Sequence, residues 1–170
     1  LANINYLKEA KKGCEFINVG KASSDHLLPQ DQINRIIADK ALEGKIVTRL
    51  KGGDPYVFGR GGEEGELLEA EGIDFEVVPG ITSAIGGLCY AGIPITHRDH
   101  ASSFHVITGH LRKDGKENPD INWNALANMR GTLVFLMGVA NLKNISENLM
   151  REGMAKDTPE AFISWATRYN

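Results

Sequence analysis

Cysteine is scarce in this chain, and the two cysteines stand far apart in the sequence. Cys14 and Cys89 are the only ones among 170 residues, and neither belongs to a Cys-x-x-Cys pair. This number and spacing indicate neither a disulfide framework nor a zinc site. We therefore expect no bound metal and a reducing, cytoplasmic location.

Long apolar runs and an excess of basic charge are also absent. The longest apolar stretch, residues 133–140 with one glycine, is far shorter than the roughly 20 residues that span a bilayer. The first ten residues lack the basic start and apolar centre of a secretory signal. The formal net charge of −3 is opposite in sign to that expected of a chain that coats nucleic acid. We therefore expect neither a membrane nor a nucleic acid as partner.

The composition is that of an ordinary globular protein, with 42% hydrophobic and 24% charged residues. Short apolar runs predict strands at residues 16–19, 46–50, 75–78, 104–108, 132–137 and 161–164. Helical spacing and capping or breaking residues predict helices near residues 29–44, 62–71, 82–91 and 141–152. Strands that alternate with helices indicate parallel βαβ units, so the sequence predicts an α/β fold.

A break in this pattern around residues 94–101 indicates a domain boundary. We predict an N-terminal α/β domain over residues 1–98 and a C-terminal α/β domain over residues 99–170. The chain ends directly after an apparent strand, without a further helix to cover the second sheet. We therefore expect the C-terminal domain to be incomplete at its end.

The most unusual segment is rich in glycine and follows the predicted strand at residues 46–50. It reads Lys-Gly-Gly-Asp-Pro at residues 51–55 and Gly-Arg-Gly-Gly-Glu-Glu at residues 59–64. Glycines at a strand end let the backbone approach a ligand closely, and an aspartate accepts hydrogen bonds from hydroxyl or amino groups. The pattern is neither a P-loop nor a dinucleotide-binding fingerprint, which disfavours phosphate binding. Two interpretations remain: a ligand-binding loop, or a turn in which Asp54 caps the next residues.

Two more segments carry polar groups at predicted strand ends. Thr82 and Ser83 follow Pro79-Gly80, where their hydroxyls either meet a ligand or cap the next helix. Lys21 follows the first predicted strand, where active-site residues of α/β folds collect, although a lone lysine is usually solvated.

A third segment, Thr-His-Arg-Asp-His at residues 96–100, concentrates positive charge around His97 and Arg98. A solvated loop and a clamp for a carboxylate are the main alternatives, and a metal site is the weakest of the three. Considered alone, these residues indicate an α/β protein that binds a polar, anionic small molecule.

The motifs, taken in order, closely resemble those of the uroporphyrinogen-III C-methyltransferases, a family within the tetrapyrrole methylases. They are Gly20-Lys21, His26, Pro29-Gln30, Ile33-Asn34, residues 49–55, 58–64 and 78–83, Gly92-Ile93-Pro94-Ile95-Thr96-His97-Arg98 and Thr108-Gly109-His110. The resemblance covers nearly the whole chain. Gly-Gly-Asp-Pro alone would indicate only the wider superfamily, whereas its combination with Gly-Arg-Gly-Gly-Glu-Glu and Thr-His-Arg is much more specific.

The resemblance implies transfer of two methyl groups from S-adenosylmethionine to carbons 2 and 7 of uroporphyrinogen III. The products would be S-adenosylhomocysteine and precorrin-2, which feeds sirohaem and corrinoid synthesis. It also implies two α/β domains with the cofactor in the cleft between them, and a homodimer. It leaves open a fusion to another tetrapyrrole-pathway domain. The family's N-terminal Gly-Pro-Gly-Asp loop and final strands are absent from these 170 residues, so we expect a chain truncated at both ends. Whether these residues are active by themselves stays open at the level of sequence.

Matching positions carry the family's site onto this sequence. The resemblance implies that the cofactor is bound by Gly52, Gly53, Asp54, Val57, Thr82, Ser83, Met137 and Ala166. It assigns the proton donor to Lys21 and a proton acceptor to an aspartate that would precede Leu1. The eight carboxylates of uroporphyrinogen III give Arg49, His97 and Arg98 a role as substrate contacts.

Two alternatives to this function remain open at the level of sequence. The first is another tetrapyrrole methylase, which would act on a later corrin precursor or on a protein side chain. The second is a binding module without catalysis that sequesters a tetrapyrrole or a nucleotide.

Overall fold

A computed structural model describes residues 3–20, 28–110 and 120–167. The chain divides into two compact units, Leu1–Thr82 and Ser83–Asn170. The first unit contains a 3₁₀ helix at Ile4–Glu9 and the helices α1 (Gln30–Leu42) and α2 (Gly61–Ala70). The second contains α3 (Ser83–Tyr90), β1 (Phe104–Thr108), α4 (Trp123–Asn128), β2 (Thr132–Leu136), a 3₁₀ helix at Val139–Asn141 and α5 (Leu142–Arg151).

Local signals explain where α1 begins and ends. Pro29 precedes its first residue with φ at −53°, a value that proline favours and that suits a helix start. Gly44 follows its last turn at φ +80°, and its N–H donates to the carbonyl oxygen of Ala41 at 2.8 Å. Both ends agree with the sequence prediction to within two residues.

The helices α1 and α2 pack together and bury a small set of apolar side chains. Ile33 of α1 and Leu68 of α2 are 7% and 8% exposed. Arg35 donates to both carboxylate oxygens of Glu71, which follows α2, with Nη2 at 2.8 Å from Oε2. This guanidinium lowers the pKa of Glu71 below its ordinary value. The bidentate pair therefore links the two helices at their rim.

The second unit is built on a short parallel sheet. The strands β1 and β2 pair in register from Phe104 opposite Thr132 to Thr108 opposite Leu136. Ile145 of α5 is buried near the carboxyl ends of the two strands. A Cβ placed at Gly109, after β1, or at Gly138, after β2, would lie 3.1 Å from Ile145 Cδ1. The parallel pair with helices around it confirms the predicted α/β character of this unit.

Four predicted strands are wrong for the part of the chain that the structure describes. Residues 16–19, 46–50, 75–78 and 161–164 lie outside both strands of its two-stranded sheet. Ile46 and Val78 are 99% and 72% exposed. A strand requires a partner that accepts and donates its ladder hydrogen bonds, and an apolar run by itself does not specify that partner. The sequence also missed α4, whose six residues are too short for helical periodicity to be recognised.

The two units meet in sequence between Thr82 and Ser83. The predicted division into residues 1–98 and 99–170 stays a prediction. In residues 3–20, 28–110 and 120–167, no helix is both long enough and apolar enough to span a membrane.

Candidate functional site

The glycine-rich segment before α2 folds tightly around one carbonyl oxygen. The N–H of Gly61 donates to the Pro55 oxygen at 3.0 Å. A Cβ at Gly59 would lie only 2.5 Å from the same oxygen, so a side chain at that position would collide with backbone. Phe58 and Arg60 adopt the left-handed backbone conformation, with φ at 52° and 59°. For residues other than glycine this conformation costs about 1–2 kcal/mol of conformational energy per residue. Strain of this kind is typical of functional loops.

Asp54 links this loop to the extended segment around residues 79–80. Its Oδ2 accepts the backbone N–H of Gly80 at 3.1 Å, and its Oδ1 accepts the N–H of Tyr56 at 2.9 Å. The N–H of Gly80, and then that of Tyr56, stabilises the charged carboxylate, and together they hold the pKa of Asp54 below its usual value. The N–H of Val57 also lowers this pKa. Because a carboxylate offers about four lone-pair sites, room remains for a further donor.

The backbone segments at Gly53 and Gly80 lie in close contact. A Cβ at Gly80 would lie 2.4 Å from the carbonyl oxygen of Gly53, and Gly53 itself has φ +77°. Gly53 also lies close to Thr82, since a Cβ placed at Gly53 would be 3.4 Å from Thr82 Cα. The structure thus brings three predicted cofactor residues, Gly53, Asp54 and Thr82, into one cluster. Val57 joins them through its N–H, which donates to the carbonyl oxygen of Asp54 at 3.3 Å, and Gly52 precedes them as an exposed residue.

Arg49, a predicted substrate contact, pairs with a carboxylate of the protein itself. Its Nε lies 3.1 Å from Oε1 of Glu64, and Lys51 Nζ lies 2.8 Å from Oε2. Gln30 of α1 donates to Oε1 as well, at 3.1 Å. The side chain of Glu64 is 8% exposed, so both cations meet a nearly buried counter-ion. The predicted role of Arg49 in binding substrate stays a prediction.

In the second unit, Met137 follows β2 at the carboxyl edge of the parallel sheet. Its backbone is left-handed at φ 59°, and its side chain is exposed. Beside it, the Gly109 N–H donates to the Leu136 oxygen at 2.8 Å, and a Cβ at Gly109 would lie 2.4 Å from Gly138 Cα. Asn141 Nδ2 donates to the Gly109 oxygen at 2.6 Å. Ligands of parallel α/β sheets bind at this edge. The predicted role of Met137 in binding the cofactor stays a prediction.

Ser83 and Ala166 lie on the same side of α3. Ser83 and Gly87 stand four residues apart, and residues at that spacing share one face of a helix. A Cβ at Gly87 would lie 3.4 Å from Ala166 Cβ. Trp165 and Thr167, which flank Ala166, both have positive φ, at 54° and 71°. Ala166 is therefore held against α3 within a strained backbone segment.

His97 and Arg98 lie in a tight turn. The backbones of His97 and Ala101 exchange two hydrogen bonds of 2.9 Å, and the rings of His97 and His100 have their centroids 4.8 Å apart. His97 Nδ1 also accepts the N–H of Asp99 at 3.2 Å. Arg98 stands at the exposed part of the turn. The hydrogen bonds thus orient His97, while the guanidinium of Arg98 extends from an exposed position.

Lys21, the predicted proton donor, lies outside the described residues. In the ranges that the structure does describe, no group of three or more His, Cys, Asp or Glu residues could hold a metal ion.

Sequence reasoning assigned no role to Glu64, although a signal was available. Glu64 precedes Leu68 by one helical turn, and residues at that spacing share a face. A carboxylate on the same face as a buried leucine requires cationic partners. Arg49 and Lys51 were the nearest cations in the sequence on the N-terminal side of the glycine-rich loop.

The family described as Tetrapyrrole (Corrin/Porphyrin) Methylases matches residues 4–170. The chain belongs to this family. In the part of its fold described above, this tetrapyrrole methylase has a parallel sheet with helices around it.

Three relatives illustrate the similarity. The S-adenosyl-L-methionine-dependent uroporphyrinogen III methyltransferase of Methanosarcina barkeri is 56% identical over 91% of this chain and 60% of its own length. The uroporphyrinogen-III C-methyltransferase of Priestia megaterium is 50% identical over 98% of this chain and 69% of its own length. The siroheme synthase of Pseudomonas entomophila is 52% identical over 96% of this chain and 35% of its own length. The chain thus spans between about a third and two thirds of these relatives.

Two solved structures resemble the fold. The crystal structure of a uroporphyrin-III C-methyltransferase from Thermus thermophilus, complexed with S-adenosylhomocysteine, has a TM-score of 0.60 and 40% identity over 73% of this chain and 52% of its own. The X-ray structure of cobalt precorrin-4 methyltransferase, a cobalamin biosynthetic enzyme, has a TM-score of 0.74 and 25% identity over 92% of this chain and 62% of its own.

Proposed function

We propose that this tetrapyrrole methylase is an S-adenosylmethionine-dependent C-methyltransferase that converts uroporphyrinogen III to precorrin-2. The observation that best supports this proposal is the cluster of Gly53, Asp54 and Thr82, in which the backbone segments at Gly53 and Gly80 lie in close contact. Such a construction suits a ligand that lies close to the backbone. Relatives that are 50% and 56% identical and named for this activity support the choice of reaction.

The residues of the cluster fit the polar groups of S-adenosylmethionine. The lone pairs that remain on Asp54 would accept hydrogen bonds from ribose hydroxyls or the amino group. The exposed thioether of Met137 would pack on adenine. The remaining contacts proposed for the cofactor are Gly52, Gly53, Val57, Thr82, Ser83 and Ala166. When bound, the cofactor supplies a methyl group on a sulfonium, and the residues around it align the reactants and exclude water.

The substrate is proposed to bind through its carboxylates. Arg98 and His97 are both exposed in this turn, and the N–H of Asp99 orients the His97 ring through Nδ1. Both side chains are therefore accessible to an anion. Arg49 is the third proposed contact, and Lys21 is the proposed proton donor.

Other features are proposals that rest on the resemblance. They are the homodimer and a fusion to another tetrapyrrole-pathway domain. The boundary between residues 98 and 99 is a proposal that rests on the break in the sequence pattern around residues 94–101. The cytoplasmic location is proposed because Cys14 and Cys89 are both unpaired and exposed thiols.

The test is methyl transfer from labelled S-adenosylmethionine to uroporphyrinogen III, with protein expressed from the whole open reading frame that encodes this chain. We expect two methyl groups per tetrapyrrole. We expect Arg98→Ala to raise the KM for uroporphyrinogen III about tenfold. Arg130→Ala, which removes another exposed arginine in the same unit, should leave the KM unchanged. Failure to bind S-adenosylmethionine would show that the proposal is wrong.

A methylase for a later corrin precursor is the second candidate. It is favoured by the TM-score of 0.74 to cobalt precorrin-4 methyltransferase. Cofactor binding without methylation of uroporphyrinogen III, together with methylation of a precorrin, would select this candidate.

A further inference from the structure

Glu64 is an acidic side chain almost enclosed by cations and amides. Its two oxygens accept from three donors, Arg49 Nε at 3.1 Å, Gln30 Nε2 at 3.1 Å and Lys51 Nζ at 2.8 Å. With 8% of its side chain exposed, an unpaired carboxylate at this position would be costly. The donors reach it from α1 and from residues 49–51, where the glycine-rich segment begins.

Further hydrogen bonds hold this arrangement in place. Gln30 also donates from Nε2 to Asn34 Oδ1 at 2.8 Å, one turn along α1. Asn34 Nδ2 donates in turn to the carbonyl oxygen of Glu63 at 3.0 Å. The backbone beside Glu64 is therefore attached to α1 independently of its side chain. A change confined to the Glu64 carboxylate should leave this attachment intact.

The charges do not cancel. One carboxylate faces two cations, so Arg49, Lys51 and Glu64 together keep one positive charge. Arg49 is the more exposed cation, at 30% of its side chain against 11% for Lys51. Arg49 uses Nε for Glu64 and Nη1 for the carbonyl oxygen of Leu50, at 3.3 Å. Because guanidinium carries five N–H donors in a fixed plane, this anchorage still leaves N–H groups for an anion.

We propose that Glu64 is a positioning residue for the substrate: its carboxylate holds Arg49 so that the remaining guanidinium donors bind a carboxylate of the tetrapyrrole, with Lys51 completing the charge balance. The proposal rests on the proposed function, because it takes a polycarboxylate as the substrate. Glu64 itself does not touch the substrate. It acts by fixing the direction of a guanidinium that would otherwise sample many rotamers.

The sign of one mutational effect distinguishes positioning from simple electrostatics. Glu64→Gln removes a negative charge and thus makes the cluster more positive. If charge alone mattered, the variant would bind an anionic substrate more tightly. If Glu64 positions Arg49, the variant binds the anionic substrate more weakly despite the added positive charge.

Glu63→Gln is the matched control. Glu63 is adjacent, has the same chemistry and pairs with Arg60 on the surface, where its side chain is 48% exposed. Its contact with Asn34 uses the backbone oxygen, which the substitution keeps. Glu64→Asp is the conservative variant, with the charge retained on a side chain one methylene shorter. It also serves as the decisive variant if Glu64→Gln does not fold.

The experiment measures kcat and KM for uroporphyrinogen III, KM for S-adenosylmethionine, thermal unfolding and uroporphyrin III binding by fluorescence, in protein expressed from the whole open reading frame. We expect Glu64→Gln to raise the KM for uroporphyrinogen III about tenfold, with kcat and the cofactor KM changed less than about twofold. Its unfolding midpoint should fall by roughly 10 °C. Glu64→Asp should be intermediate, and Glu63→Gln should match the wild type.

Several outcomes would overturn the inference. A lower KM for uroporphyrinogen III in Glu64→Gln would show that Glu64 only opposes the anion. Equal values in the Glu63 and Glu64 variants, or a loss shared by kcat and both KM values, would leave Glu64 without a substrate-positioning role. A wild type that fails to methylate uroporphyrinogen III contradicts the proposed function instead. In that case the uroporphyrin III affinities of the same variants still decide the role of Glu64. If the wild type does not bind uroporphyrin III, the positioning role of Glu64 is also overturned.

Discussion

Gly80 is an exposed residue that we expect not to tolerate even a methyl group. An added Cβ would lie 2.4 Å from the carbonyl oxygen of Gly53, 2.8 Å from its carbonyl carbon and 3.2 Å from Asp54 N. All three are backbone atoms, so no rotamer change relieves the contact. The φ of Gly80 is outside the left-handed region, so the cost of Gly80→Ala is steric and not conformational.

The size of the effect follows from these distances. Ordinary contact begins near 3.4 Å, so the backbone segments at Gly53 and Gly80 would have to separate by about 1 Å. That movement would stretch the 3.1 Å hydrogen bond from Gly80 N–H to Asp54 beyond hydrogen-bond range. Overpacking of this kind typically costs 1–3 kcal/mol, so we expect the free energy of unfolding to fall by about 2 kcal/mol. In a chain of this size the unfolding midpoint would fall by roughly 6 °C.

Gly62→Ala is the control for this prediction. Gly62 lies in the first turn of α2, and a Cβ there would meet nothing within 4 Å. Alanine is the better helix former by about 0.5–1 kcal/mol, so this variant should unfold at a higher temperature.

Circular dichroism melting and calorimetric titration with S-adenosylhomocysteine would measure both variants. We expect Gly80→Ala to melt earlier and to bind the ligand about tenfold more weakly, because the Gly53 carbonyl is displaced. Wild-type stability and affinity in Gly80→Ala would refute the close contact between the backbone segments at Gly53 and Gly80.

Three further predictions concern single side chains. The pKa of Asp54 is lower in the folded protein than its unfolded value of 3.8. The charged carboxylate therefore stabilises the fold when the pH is above 3.8, and this contribution is lost as the pH falls below 3.8 and through the folded-state pKa. The stability gap between wild type and Asp54→Asn in urea unfolding should therefore narrow in acid. Met137→Gly should relieve the backbone at φ 59° and raise unfolding stability by about 1 kcal/mol, while weakening cofactor binding in calorimetry. Gly109→Ala should lower the free energy of unfolding, measured by thermal melting, by about 2 kcal/mol, because the added Cβ would lie 2.4 Å from Gly138 Cα.

Each of these has a result that would contradict it. A gap for Asp54→Asn that widens in acid would mean that the carboxylate is not stabilised by its N–H donors. A less stable Met137→Gly would show that the left-handed backbone carries little strain. Unchanged melting of Gly109→Ala would mean that the strand ends are farther apart than described.

Much of the helical structure was predictable because its signals are local. Pro29 and Gly44 delimit α1, and both act through their own backbone preferences. The strands β1 and β2 were also predicted, since each is a short apolar run that finds the other as partner. The runs at residues 16–19 and 46–50 have a similar composition but no ladder within the described residues, so composition could not separate them from true strands.

The candidate site divides in the same way. The sequence by itself determined which residues are candidates for ligand binding. Few other residue types provide the backbone freedom of the glycine at residue 53 or the acceptor oxygens of the carboxylate at residue 54. Only the tertiary structure decided that Asp54 accepts the N–H of Gly80, and that Arg49 and Lys51 share the carboxylate of Glu64. These partners come from different segments of the chain and meet only after the helices and turns have packed. Backbone preference is a property of each residue, whereas the pairing of charges depends on that packing.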